Sequence, residues 1–282
     1  MKKVLPLIVL VAVVLTLWGG AYFAIVLSLG GIARAEGNFR YIVKDGEAII
    51  VEYKDLGDVN SVTIPPTLGG YPVTTVNNFG FVNTTIVREI HIGKGLVNIS
   101  SWSFTNNVNL ERFVVDVENP NYKSVDGVLF NKDMSVLLFY PNSGAAEYTV
   151  PEGVKRINDQ AFYKCGRLTK ITFNSDLLEI GQQAFLLSVR LESVVFPEGL
   201  KLIETHAFLG CSGDGARAFN TIVIPSSVEY IGNFAFYNCV DVTSVTVNKP
   251  ESETSGWGTK WYPTQNGDRL SVGGNLLEIQ YL

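Results

Sequence analysis

A phenylalanine preceded by a small residue recurs along most of this 282-residue chain, and nothing else in the sequence restricts the fold as severely. The pairs are Gly80-Phe81, Ser103-Phe104, Ala161-Phe162, Ala184-Phe185, Ala207-Phe208 and Ala235-Phe236. Five residues before each ring stands an aliphatic: Val76, Ile99, Ile157, Ile180, Ile203 or Ile231. Farther upstream lies a short alternating run, as in Leu168-Thr-Lys-Ile171-Thr-Phe173. Eight such runs end at positions 64, 92, 115, 150, 173, 196, 224 and 247, in steps of 28, 23, 35, 23, 23, 28 and 23, so the base period is 23. Self-similarity at this period means stacked units. The small residue marks a place where neighbouring backbones approach too closely for a larger side chain.

One unit cannot fold alone, because ordering its backbone costs more than burying five or six apolar side chains returns. Stacking covers each unit's apolar face with the next and adds rung-to-rung hydrogen bonds, which predicts a solenoid with capped ends. Pro65, Pro151, Pro197 and Pro225 follow the alternating runs and, lacking an N–H, stop the strands. Asn77, Asn158, Gly181 and Gly232 follow the aliphatic position, where the expected turn asks for positive φ. Alternation within each run sends apolar residues inward. The outward positions are Glu89 and His91, Arg112 and Val114, Lys170 and Thr172, Ser193 and Val195, Thr221 and Val223, and Ser244 and Thr246. These twelve residues form the candidate binding face.

The run from Ile64 to Val247 resembles the BspA-like leucine-rich repeat family of bacterial and protist surface proteins. The resemblance rests on the strand-proline pattern, on Ile180 to Phe185 and Ile231 to Phe236, and on Cys165, Cys211 and Cys239, each three residues after a repeat phenylalanine. It implies a leucine-rich-repeat solenoid with a parallel β-sheet on the concave side and short turns or helical segments on the convex side. Residues 116 to 147, including Asn119 to Tyr122 and Val125 to Phe130, resemble the hairpin that this family inserts between rungs. Residues 36 to 58, with strands joined across Asp45-Gly46, read as an N-terminal cap hairpin, and 59 to 247 as the solenoid. Residues 248 to 282 form the C-terminal cap, in which Trp257, Trp261, Leu270, Val272, Leu276 and Ile279 are available to cover the last rung.

Residues 1 to 35 stand apart. Lys2 and Lys3 precede an uncharged stretch from Val4 to Ile32, followed by Ala33-Arg34-Ala35. The basic start and A-x-A pattern fit a signal peptide, whereas the length fits an uncleaved transmembrane anchor. Either reading places the remainder outside the cell or on its surface, with the membrane touched only through this segment. The whole chain carries 22 basic and 27 acidic residues, a net charge of -5. Without Lys2, Lys3 and Arg34 the balance is 19 minus 27, or -8, which argues against nucleic acid as a partner.

Little in the sequence suggests chemistry. Three cysteines cannot make a disulfide framework. Their spacings of 46 and 28, two periods and one period plus a five-residue insertion, point to ladder packing, with Cys211 and Cys239 on adjacent rungs within reach of one bridge. His91 and His206 are the only histidines, and neither joins the cysteines at metal-ligand spacing. No nucleophile elbow, zinc-protease motif, phosphate loop or calcium loop occurs, and Asp116 and Glu118 read as solvated loop acids. The expectation is therefore no catalytic residue, no cofactor and no metal. A non-catalytic module that binds a protein or other cell-surface macromolecule is the leading reading. A structural envelope scaffold without a discrete ligand is the alternative. Phe130, Phe139 and Tyr140 of the inserted hairpin offer a second contact surface, unless they pack on the solenoid. Asn83-Thr-Thr and Asn98-Ile-Ser are glycosylation acceptors only in a glycosylating host.

Overall fold

A computed structural model describes residues 32–57, 59–211, 219–265, 268–269, 271–272 and 275–282. The leader expected over residues 1 to 35 thus lies almost wholly outside the described residues. Among them, no helix is long and apolar enough to cross a membrane. The chain winds as a β-solenoid, and each turn contributes to three ladders. The alternating runs form the first, in which Ser61–Thr63, Glu89–Ile92 and Arg112–Val115 pair in parallel. Glu147–Thr149 pairs with Lys170–Thr172, and Thr221–Ile224 with Ser244–Val247 and then Ile279–Tyr281.

The aliphatic positions, for which the alternation predicts no strand, build a second parallel ladder. Arg156–Ile157, Glu179–Ile180, Leu202–Ile203 and Tyr230–Ile231 pair in register with Ile157, Ile180, Ile203 and Ile231 superposed. Each aliphatic side chain is fully buried there.

The phenylalanines form the third, on the side of the turns. Turns, not helices, make this side; the single short helix among the described residues is the 3-10 turn Glu251–Thr254 in the C-terminal cap. Positive φ does not fall at Asn77, Asn158, Gly181 or Gly232. It falls two residues before and after the ring: Gln160 (59°) and Lys164 (53°), Gln183 (57°) and Leu187 (57°), His206 (59°) and Gly210 (69°), Phe234 (56°) and Asn238 (58°). Alternating hand turns every second N–H toward the same side. Gln160, Phe162 and Lys164 accordingly donate to the carbonyls of Gln182, Ala184 and Leu186 on the next rung, at 3.0, 2.7 and 2.8 Å. The pattern repeats from Gln183, Phe185 and Leu187 to Thr205, Ala207 and Leu209.

Gly181 and Gly232 answer to proximity rather than to conformation. A Cβ on Gly232 would overlap the backbone of Glu204 and Thr205, and one on Gly181 the backbone of Asn158 and Asp159.

Rings stack along the axis as the period requires. Phe162, Phe185, Phe208 and Phe236 succeed one another at 4.7, 4.8 and 5.3 Å between centroids. Tyr53 stacks on Phe81 at the N-terminal end, and Trp261 meets Phe236 edge-on at the other.

The insertion at 116 to 147 replaces a rung instead of projecting from one. Tyr122–Val125, Val128–Asn131 and Val136–Phe139 form an antiparallel meander whose last strand enters the second ladder beside Arg156–Ile157. Leu129 and Phe139 pack into one hydrophobic core, running from Tyr41 to Phe113. Val128, Phe130, Leu137 and Tyr140 pack into a second, running on to Leu277.

At the N-terminal end, Phe39–Lys44 and Glu47–Tyr53 pair across Asp45 and Gly46, both at positive φ, and Arg34–Glu36 adds a third strand. At the C-terminal end, Trp257 and Trp261 are buried against the last rung, with Leu277 beside them and Ile279 partly buried.

Candidate functional site

The first ladder presents all twelve outward residues at unburied positions. It does not bring them into one surface. In the first group, the Glu89 carboxylate receives the Arg112 guanidinium from the next rung and the His91 ring from its own strand. Arg88 pairs with Glu111 beside them. Partial burial opposes ionisation of Glu89. The hydrogen bonds and charges of Arg112 and His91 outweigh it and hold the carboxyl below its usual range. A polar recess of about 290 Å³ between Asn60, Ser61, Arg88, Glu89, Glu111 and Arg112 is thereby lined with ion pairs. Lys170 lies 3.9 Å from Glu147 on the preceding rung, with Thr172 beside it.

Between the rungs at Ser193 and Thr221 the ladder opens. The expected strand ending at Phe196 is reduced to a single bridge from Ser193 back to Lys170, and among the described residues no ladder bond joins it to Thr221–Ile224. The two turns remain linked on the other sides through Ile203–Ile231 and Phe208–Ala235. Only the outer edge is therefore splayed. The resulting cleft, about 340 Å³, is lined by Ser193, Val195, Thr221 and Val223 from the predicted set, together with Phe196 and Glu198. Val195 is 80% exposed and Val223 44%, unusual for aliphatics within a sheet. Ser244 and Thr246 sit one rung farther on.

All three thiols are free and buried. Cys211 and Cys239 donate to the carbonyls of Phe185 and Phe208 on the preceding rung, at 3.0 and 3.1 Å, and Ser188 does the same toward Phe162 at 2.7 Å. Position three after the ring thus takes a small donor, and cysteine occupies it as serine does. Burial pushes the thiols of Cys165, Cys211 and Cys239 upward, so they stay protonated. His206 stacks on Phe234 at 5.6 Å, and burial lowers its pKa. Asp116 accepts the Glu118 amide in a tight turn, and Glu118 reaches Lys94.

The hairpin aromatics are not a contact surface. Phe130, Phe139 and Tyr140 are all buried, at 0, 4 and 5% exposure. Aromatics outside the predicted set also line the outside of the turns. Phe79, Trp102 and Tyr163 follow one another at 5.8 and 6.0 Å between centroids. Their signal was legible, since 79 and 102 are both two positions before a repeat phenylalanine, whereas a hydrophobic count assigns such residues to the core.

Six copies of the family model described as BspA type leucine rich repeat region match residues 52–137 and 132–255. A leucine-rich repeat protein of known structure from Eubacterium ventriosum superposes with a TM-score of 0.53 at 17% identity, over 87% of this chain and 99% of that one. The pneumococcal vaccine antigen PcpA gives 0.49 at 17% identity, over 86% and 89%. The T. pallidum leucine rich repeat protein gives 0.41 at 20% identity, over 81% and 87%. At these identities the likeness is one of fold. No curated protein matches the chain.

Proposed function

This chain belongs to the BspA type leucine-rich repeat family, and from that premise we propose a non-catalytic binding module, displayed outside the cell, that takes an extended segment of a partner protein at the opening in its first ladder. The observation that carries this reading is the cleft itself. Two adjacent rungs leave their ladder groups unpaired with one another there, and two valines face solvent between them. Sheet edges recruit extended chains through main-chain hydrogen bonds, and side-chain pockets supply the selectivity. Glu198 at the rim adds a preference for apolar sequences flanked by Lys or Arg.

Elsewhere the face offers less. Arg112, Lys170 and Glu89 are committed to neighbouring rungs, and exposed pairs of this kind contribute little. Those residues, with His91, Val114, Thr172, Ser244 and Thr246, lie on other rungs of the same side. The apolar leader with its basic start supports display outside the cell.

Panning a random peptide library on the purified full chain tests the proposal. Enriched peptides should be apolar and basic. Their retention should fall on Val195→Asp or Val223→Asp, with a smaller loss on Arg112→Glu and Lys170→Glu. Failure to enrich any peptide sensitive to the valine changes would favour the scaffold reading, which the rung-to-rung pairing of the face charges also supports.

A further inference from the structure

The row of aromatics outside the turns has a chemistry that the first ladder lacks. Phe79 is 38% exposed, and Trp102 and Tyr163 are half-buried with their repeat neighbours Phe81, Phe104 and Phe162 turned inward. Beside the rings runs a second row. Lys164 Nζ donates to Asn106 Oδ1 at 3.3 Å and lies 5.3 Å from the Tyr163 ring centroid, and Asn106 Nδ2 donates to Asn83 Oδ1. This relay uses one lone pair of each amide oxygen. What it leaves over is mostly donors: the Asn83 amide hydrogens, the second hydrogen of Asn106 Nδ2 and the remaining ammonium hydrogens of Lys164, against one lone pair on each amide oxygen.

We infer that Phe79, Trp102 and Tyr163, with Asn83, Asn106 and Lys164, form a glycan-binding strip for a polymer of 2-acetamido sugars. Ring faces carry negative quadrupole charge and accept the polarised C–H face of a pyranose or the methyl of an acetamido group. A row richer in donors than in acceptors alongside calls for acceptors, which the acetamido carbonyls supply at every unit. The steps of 5.8 and 6.0 Å are nearly equal and comparable with one sugar ring, so the strip suits a repeating chain. Other occupants fit less well. A nucleic acid strand also stacks on aromatics, but it needs clustered cations and here meets one lysine on a chain of net charge -5. The net negative charge likewise disfavours polyanionic glycans. A protein hot spot places its aromatics in fully desolvated pockets, whereas these three rings keep part of their surface in solvent.

The strip also spans the seam between the two hydrophobic cores, since Trp102 meets Tyr163 and Asn106 meets Lys164 across the inserted hairpin. A purely structural bond across that seam is the competing account. Calorimetric titration of the full chain with the trimer of β-1,4-linked N-acetylglucosamine separates the two, with cellotriose as the partner lacking acetamido groups. The expected result is saturable binding of the acetamido trimer, weakened about tenfold by Trp102→Ala or Phe79→Ala, as for loss of one stacked ring. Asn83→Asp, which replaces donors by acceptors, should weaken it too, while Val195→Asp in the first-ladder cleft should not. Phe79→Ala keeps the test valid if Trp102→Ala fails to fold, because Phe79 is the most exposed of the three. No saturable binding, equal affinity for cellotriose, or unchanged affinity in Phe79→Ala would each overturn the inference.

Discussion

The two stacks on either side of the inserted hairpin obey the same repeat with different strictness. In the C-terminal stack the rings of Phe162, Phe185, Phe208 and Phe236 lie within 11, 3 and 7° of parallel, whereas in the N-terminal stack Phe81 and Phe104 are tilted by 44°. Phe104 then meets Phe139 edge-on at 85°. The difference begins one residue upstream. Ala161, Ala184, Ala207 and Ala235 give every C-terminal rung the same spacer, while Gly80 and Ser103 differ, and Ser103 turns its hydroxyl to the carbonyls of Val76 and Asn77. Trp102 also lacks the positive φ of its counterparts Gln160, Gln183, His206 and Phe234. Identical spacers go with parallel rings and differing ones with tilted rings, while the outside of the turn carries aromatics in both stacks, as Phe79 and Trp102 in one and Tyr163, His206 and Phe234 in the other.

The largest expected effect is at the rings themselves. Phe185→Ala should cost about 3 to 5 kcal/mol, and Phe104→Ala should fall at the lower end of that range, because a void of about 10 Å³ already adjoins Phe104 and leaves its ring fewer contacts to lose. Urea unfolding of both variants checks this, and equal losses would break the contrast between the stacks. Next comes rung proximity: Gly232→Ala should destabilise by about 1 to 3 kcal/mol through overlap with the Glu204 and Thr205 backbone. A neutral result in thermal melts would remove close approach as the reason for glycine there.

Cys211→Ser should cost about 1 kcal/mol or less, because serine already donates from the equivalent position at Ser188. A much larger loss would mean that thiol volume, not its donor, holds the C-terminal rungs together. The smallest effect is expected in the N-terminal half, where Glu89→Gln should cost about 0.5 to 1 kcal/mol near neutral pH. Since Glu89 titrates below its usual range when folded, its contribution is complete above the unfolded carboxyl value and fades as pH falls through the folded one. Acid melts of wild type and variant should therefore converge, and a gap that persists in acid would exclude the carboxylate as its source.

Much of the architecture was legible because each rung must repeat its own local chemistry. The column of Phe81 through Phe236, the inward aliphatics, the proline stops and the outward alternation from Glu89 to Thr246 all follow from side-chain period within one turn. The site was legible only as a set of twelve exposed residues. Their division into an ion-paired group around Glu89 and an open cleft at Val195 and Val223 depends on which neighbouring runs pair with one another and which do not. Phe130, Phe139 and Tyr140 misled for a related reason, since a hairpin drawn into the stack buries the aromatics that a protruding one would expose.

What the sequence determined by itself was the period, the inward face of every rung and the need to stack, because these depend on residues within 23 positions of one another. Tertiary structure alone decided the second ladder, the handedness alternation in the turns, the hairpin's place as a rung and the pairing of Trp102 with Tyr163 across it. Those features arise between turns, where backbone distance and the closure of each loop select partners that no local pattern encodes.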